Sequence, residues 1–358
     1  MNTSSNMTYS GRTAPMIDRC VDVPEIGPEL RSAAPLQVRE FGSFHVGGHM
    51  VSLTGLAPRL RISTINGAGH PIDPNGEVIV GQMYVQYVKL AAPRSPHPLL
   101  LWHGGGMSGV NWETTPDGRA GWQMFFLRAG FDVFVSDAVE RGRASWAPYP
   151  DVYADAPYFR TAREAWEETF RLGPAGSWNA DPAQRRPHDG LRFPVERMET
   201  FMNQFVPRWG GNDTLTQHAY DALIGSLDSS IVLTHSQGGN FGLNAALHAP
   251  DRVKAVISLE PSGAPDPESC DPAILGSIPH LFVWGDYLDK HPFWVESVPK
   301  VRRWYEALVA AGVDAQWIDL PSRGIAGNSH ALMADANSDA IGEIVLDWMC
   351  EKNLVASS

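Results

Sequence analysis

The sequence predicts an α/β fold: a mostly parallel central sheet with flanking helices, an N-terminal β-hairpin extension and a helical lid insertion. Three observations predict it. Short, wholly apolar runs such as Leu99-Leu100-Leu101-Trp102 recur along the chain, as expected of strands covered on both faces. These runs alternate with helix-compatible stretches through short links, the rhythm of βαβ units. One of the joints, from Ile231 to Asn240, is an apolar β-type run, a polar turn at Ser236 and the start of a helix.

The elements follow in order. Residues 1–35 are rich in Ser, Thr, Pro and Asn without periodicity and read as an N-terminal arm. From Phe41 to Leu56 the text suggests a hairpin turning at Gly47-Gly48, and Val78 to Leu90 alternates as a further strand. Leu99 to Trp102 is a buried strand ending in His103-Gly104-Gly105-Gly106. Gly121 to Ala129 is a helix closed by Gly130, and Phe131 to Ser136 the next strand. Later come strands at Ile231–Leu233, Val253–Leu259, His280–Trp284 and Ala315–Leu320. Helices are expected at Gln237–His248, Pro299–Ala311 and Ala334–Cys350. The stretch 146–226 breaks the rhythm, with helices at Ala162–Arg171 and Pro194–Phe205. It reads as a lid inserted between core segments 36–145 and 227–358. Trp146, Trp166, Trp178 and Trp209 either line a pocket beneath it or form its own small core.

Composition narrows the function. At 358 residues with 43% hydrophobic content the chain can bury a sizeable core. Its 28 basic and 40 acidic residues give a net charge of −12 with no basic patch, which argues against nucleic acid as a partner. No apolar run approaches the roughly 18 residues of a membrane span. The first thirty residues hold no apolar h-region. The compartment stays open between cytoplasmic and secreted with its leader removed. Cys20, Cys270 and Cys350 lie far apart, without metal spacing, and read as free or buried thiols. No cofactor or metal is expected, since phosphate-loop, dinucleotide and metal-cluster patterns are missing. The three Asn-x-Ser/Thr matches at Asn2, Asn6 and Asn212 carry no weight.

The joint at Ser236 points to chemistry. A serine at a tight strand-to-helix turn is the layout of a nucleophile elbow, although Thr234 stands where G-x-S-x-G has its first glycine. A serine alcohol needs a base within hydrogen-bond reach, and the base needs an orienting acid. In a doubly wound sheet these groups follow strand carboxyl ends, in the order serine, acid, histidine. His330, in the glycine-rich loop after the last strand, is the expected base. Glu260 directly follows the strand after the elbow and is one candidate acid. Asp286, one strand later, is the alternative, and Asp289 a poorer one. His235 is too close to the serine in sequence to serve as its base and is expected to shape the elbow or the core. Tetrahedral oxyanions need N–H donors. The amide of Gln237 is one, and Gly105 in the glycine loop the other, with Gly106 in reserve. Trp112-Glu113 and Arg141 with Arg143 read chiefly as braces of neighbouring loops.

These residues resemble the alpha/beta-hydrolase superfamily over about residues 40 to 350. More narrowly the chain is similar to the bacterial esterase 713-like group. The likeness rests on Gly81-Gln82-Met83-Tyr84-Val85-Gln86-Tyr87, His103-Gly104, Trp112-Glu113-Thr114-Thr115-Pro116-Asp117-Gly118-Arg119, Arg141-Gly142-Arg143, the elbow and Glu260-Pro261. The resemblance implies an alpha/beta-hydrolase fold, a secreted habit and a glutamate as the acid, which favours Glu260 over Asp286. That group's pattern can include adjacent cysteines in the oxyanion loop, where this chain has Gly105 and Gly106. The expectation is a serine esterase with a Ser236–His330–Glu260 triad and a small-molecule ester as its partner. Lactone, amide, carbon–carbon or acyl-transfer chemistry uses the same triad, and a non-catalytic binding protein is the alternative of another class. A homodimer is compatible with the sequence.

Overall fold

The computed structural model describes residues 34–356 except Ile65, together with the backbone of a short antiparallel pair, Thr8–Tyr9 with Arg12–Thr13. The expected arm, with Asn2, Asn6 and Cys20, falls almost wholly outside the described residues. Eight strands make one sheet: β1 (Val38–Leu53), β2 (Gly76–Leu90), β3 (Leu99–Trp102), β4 (Val133–Asp137), β5 (Ser230–His235), β6 (Val253–Leu259), β7 (His280–Trp284) and β8 (Ala315–Asp319). Their order is β8-β7-β6-β5-β3-β4-β2-β1. Neighbours from β8 to β4 run parallel, whereas β2 pairs antiparallel with both β4 and β1.

Strand periodicity divides the core between the two faces. Leu99, Leu101, Ile231 and Leu233 point to one side, against helices α1 (Trp122–Arg128) and α5 (Ser338–Glu351) and part of the 146–226 segment. Leu100, Trp102 and Val232 point to the other, against α2 (Asp213–Gly225), α3 (Gln237–His248) and α4 (Pro292–Ala310). Both faces being covered explains why β3, β5 and β7 are buried at every position.

Several elements differ from the sequence expectation. Gly47-Gly48 is not a turn. β1 runs straight through it, and the hairpin partner is β2, the run expected to be a separate strand. Both glycines have positive φ (72° and 83°), and a Cβ on Gly47 would stand 3.0 Å from Ala219 Cβ. The pair is a kink that lets α2 approach the sheet. The true reversal lies beyond Leu53 and contains the small pair Arg59–Arg61 with His70–Ile72. Helix α4 begins at Pro292 rather than Pro299. Pro299 is tolerated inside it because the carbonyl it leaves unbonded belongs to exposed Val295. The expected helix over Ala162–Arg171 is a single α-turn, Ala162–Glu164, followed by a π-turn, Ala165–Thr169. Helix α2, counted with the insertion from sequence, packs on β1, β2 and α3 as a sheet-covering helix.

The elbow shows how Thr234 is accommodated. Its hydroxyl donates to the Ile257 carbonyl (3.1 Å), which ties β5 to β6. Its methyl lies against α3, where a Cβ on Gly242 would stand 2.6 Å from Thr234 Cγ2. The glycine missing from the strand side is thus offset by one on the helix. Gly242→Ala is expected to destabilise the fold by roughly 1–3 kcal/mol through overpacking. Adding Thr234→Ser, which removes the methyl and keeps the hydroxyl, should recover most of that loss. Urea midpoints of the four proteins check this, and additive effects would contradict it.

Candidate active site

Ser236 sits between β5 and α3 with φ 54° and ψ −119°, a backbone that side chains rarely adopt. The turn is pinned on both sides: its N–H donates to Leu259 O (3.0 Å), and its carbonyl accepts from Ser262 N (3.1 Å). The glycines after it are steric necessities. A Cβ on Gly238 would meet His103 O at 2.7 Å, and one on Gly239 would meet Pro261 Cβ at 2.5 Å. Half-buried Ser236 opens onto a cavity of about 410 Å³, lined also by Gly105, Gln237, Arg160, Phe293 and Trp294.

Glu260 leaves β6 with φ 45° and is fully buried. Its Oε2 accepts from His330 Nδ1 at 2.5 Å. Its Oε1 accepts from Gly285 N (2.6 Å) and from Arg171 Nη2 (2.5 Å). Gly285 is required here, because a Cβ would stand 2.9 Å from Oε1. A carboxylate accepts only, so the proton on His330 lies on Nδ1 and Nε2 presents its lone pair. That Nε2 is buried and has no hydrogen-bond partner among the described residues, Ser236 Oγ included. Burial holds the His330 imidazole well below its ordinary proton affinity, and the cations Arg171 and Arg160 add to this.

The His330 loop is braced from several directions. The His330 N–H donates to Phe170 O (3.0 Å). His235, buried beneath, has Nε2 2.7 Å from the His330 carbonyl, so it donates there and stays neutral, its pKa well lowered chiefly by burial. Buried Asp335 accepts from Ser329 N (2.9 Å), Ser329 Oγ (2.7 Å) and Asn328 Nδ2 (2.9 Å). Asp286, the alternative acid, accepts instead from Gly327 N (2.8 Å) and Tyr287 N (2.7 Å) and does not bond His330.

The glycine loop after β3 is held with its amide free. His103 donates from Nδ1 to Gly104 O (2.8 Å) and accepts at Nε2 from Ala138 N (3.0 Å). Burial lowers its pKa to about 4, so this neutral brace persists across mild acid. The Gly105 carbonyl accepts from Arg160 Nη2 (3.0 Å) and that of Gly106 from Val206 N (3.0 Å), both from the 146–226 segment. The Gly105 N–H has no acceptor among the described residues. Gln237 is the first residue of α3, where an N–H has no intrahelical partner. Further out, Asp137 gathers Gly109 N (2.6 Å), Arg143 N (2.7 Å) and Arg143 Nε (2.8 Å), and Arg143 reaches Glu113 at 3.3 Å. Arg141 is buried and donates to Val139 O (3.3 Å).

Four contributors escaped the sequence. Arg171 resembles a surface arginine in text, yet it is fully buried on Glu260. Asp335 was hidden in what read as the start of the last helix. Phe293 and Trp294 line the cavity from the two turns of α4 that Pro299 concealed. None of Trp146, Trp166, Trp178 and Trp209 lines that cavity. Trp166 is buried with its Nε1 on Ser177 Oγ (2.8 Å), and Trp209 stacks on Tyr153, so both serve packing. Among the described residues no cluster of three or more His, Cys, Asp or Glu could hold a metal, and no helix is long and apolar enough to cross a membrane.

The chain is similar to known proteins. A family model described as alpha/beta hydrolase fold matches residues 223–313. A probable secreted lipase, phiG, of a fungal species (strain ATCC 74256) is 26% identical over 330 residues, covering 75% of this chain and 85% of that protein. The atomic-resolution structure of a novel bacterial esterase is 32% identical and superposes with a TM-score of 0.75, covering 92% of this chain and 99% of that one.

Asp335 gives the site a pH signature. Burial raises its pKa from 3.8 to about 7, outweighing the hydrogen bonds it accepts. A carboxyl that holds its proton more tightly folded than unfolded stabilises the fold below the unfolded value. That contribution is lost as pH rises through the folded one. Asp335→Asn mimics the protonated form. Its melting temperature relative to wild type should therefore rise between about pH 4 and 7 and level off above. A constant difference across that range would contradict the assignment.

Proposed function

The chain belongs to the alpha/beta-hydrolase superfamily and is a carboxylic ester hydrolase, and on that premise we propose that Ser236, His330 and Glu260 carry the hydrolysis through an acyl-enzyme. One observation carries this assignment: Glu260 binds His330 at Nδ1 and leaves Nε2 bare, while Ser236 opens onto the adjoining cavity.

The steps follow from the atoms. Ser236 Oγ attacks the ester carbonyl as its proton passes to His330 Nε2. Negative charge develops on the carbonyl oxygen, where the amides of Gly105 and Gln237 donate to it. Glu260 stays ionised and holds the imidazolium. The imidazolium protonates the departing alcohol, leaving an ester on Ser236. Water then gives a proton to Nε2 and attacks the acyl carbon. Collapse returns the proton to Ser236 Oγ and releases the carboxylic acid. The Oγ–Nε2 hydrogen bond is the one link not yet made, and such bonds tighten in the substrate complex.

The cavity suits a small-molecule ester. Phe293 and Trp294 supply an apolar wall, and Tyr158, Arg160, Thr169 and Arg208 line it from the insertion. The insertion is accordingly a cap over the site.

Ser236→Ala and His330→Ala should each lower kcat on a chromogenic ester by about 10⁴ to 10⁶. Glu260→Gln should lower kcat by roughly 10² to 10⁴, and Asp286→Asn by far less. Retained turnover in Ser236→Ala would refute the mechanism, and the reverse order of the two acids would move the acid to Asp286.

A further inference from the structure

We propose that Arg171 is a positioning residue for this hydrolysis: from the insertion it locks the Glu260 carboxylate onto His330 and makes that part of the cap integral to the catalytic centre. The proposal rests on the triad assigned above and goes beyond it by adding a member from outside the sheet.

The local chain explains how the side chain gets there. In the π-turn, Phe170 N donates to Ala165 O (2.9 Å), five residues back. Such wide turns often occur where a side chain is re-aimed at a functional site. Arg171 then takes a left-handed backbone (φ 54°), and Leu172 and Gly173 both donate back to Trp166 O (2.9 and 3.3 Å). The outcome points two consecutive residues at the His330–Glu260 pair, Phe170 at the histidine and Arg171 at the carboxylate. Phe170 accepts from the His330 backbone with its carbonyl and packs its ring on the imidazole at 5.7 Å. Arg171 passes over Trp294 (4.9 Å), donates from Nε to Asp286 O (2.8 Å) and reaches Glu260 Oε1 with Nη2.

Both members of the Arg171–Glu260 pair are wholly shielded from solvent. A buried charge without a partner is strongly disfavoured, so each fixes the other. With Oε1 held by Arg171 and Gly285, Oε2 can face only His330. The charged and titratable groups around His330 are Glu260 after β6, Arg171 and Arg160 from the insertion, His235 from β5 and Asp335 beneath its own loop; the Asp286 carboxylate turns away to Gly327. In this set Arg171 offsets the negative charge of Glu260. His330 therefore stays in its base form further into acid than an imidazole facing an unpaired carboxylate.

A purely structural arginine would stabilise the fold without touching the pH profile, and this separates the two roles. The experiment compares kcat, KM and the pH dependence of kcat/KM for wild type, Arg171→Met and Arg171→Lys on p-nitrophenyl butyrate, with near-UV circular dichroism confirming the fold. The wild-type acid limb should lie below the ordinary imidazole value of about 6.5. Arg171→Met should lower kcat by about tenfold or more with KM changed less than about twofold, and move the acid limb to higher pH. Arg171→Lys should restore the limb and part of kcat. A folded Arg171→Met with wild-type kcat and limb, even if it melts earlier, overturns the proposal. Where the methionine variant does not fold, a wild-type acid limb at or above about 6.5, or a shifted limb in Arg171→Lys, overturns it instead. Turnover by Ser236→Ala on the same ester would refute the triad itself, an outcome read separately from any of these.

Discussion

A carboxylate with no access to water must have its lone pairs occupied by donors, and Glu260 meets that demand from three parts of the chain. His330 comes from the loop after β8, Gly285 from the end of β7 and Arg171 from the insertion. No two of these are near in sequence, so the site exists only once the sheet, the last loop and the 146–226 segment have all packed. The left-handed backbone at Glu260 and at Arg171 belongs to the same arrangement. Strain of this kind persists only where the surroundings over-determine it.

The second constraint is close backbone approach at the elbow and the glycine loop. Gly104, Gly238 and Gly239 stand where any Cβ would collide with β3, β5 or the Glu260-Pro261 turn. Gly105 and Gln237, the proposed oxyanion donors, line the cavity beside Ser236. The loop is clamped by neutral His103 on the sheet side and by Arg160 and Val206 from the 146–226 segment. The 146–226 segment therefore bonds to both halves of the proposed machinery, at Gly105 and Gly106 and at Glu260.

Much of this was legible in the sequence for a simple reason. Parallel strands buried on both faces are short apolar runs, and β6, β7 and α3 have the bounds that such runs and their flanking turns imply. Ser236, Glu260 and His330 stand out because topology restricts chemistry to strand ends. What was hidden depends on long-range contact. Gly47-Gly48 has the text of a turn, but the approach of Ala219 decides its conformation. Pro299 has the text of a helix start, but Pro292 two turns earlier fits that role as well, and only the structure shows Phe293 and Trp294 against the cavity. Arg171 lies 89 residues from Glu260, between Phe170 and Leu172, with no local pattern that announces burial. The acids Glu260 and Asp286 both lie just beyond strand ends, and that position alone ranks neither.

The central claim is that Ser236 is a nucleophile activated by His330. Treatment with a fluorophosphonate, followed by peptide mapping by mass spectrometry, tests it most directly. The predicted result is one covalent adduct on Ser236 in the wild-type protein, with labelling at that residue lost or greatly slowed in His330→Ala. No adduct, an adduct on another residue, or equally fast labelling in His330→Ala would contradict it.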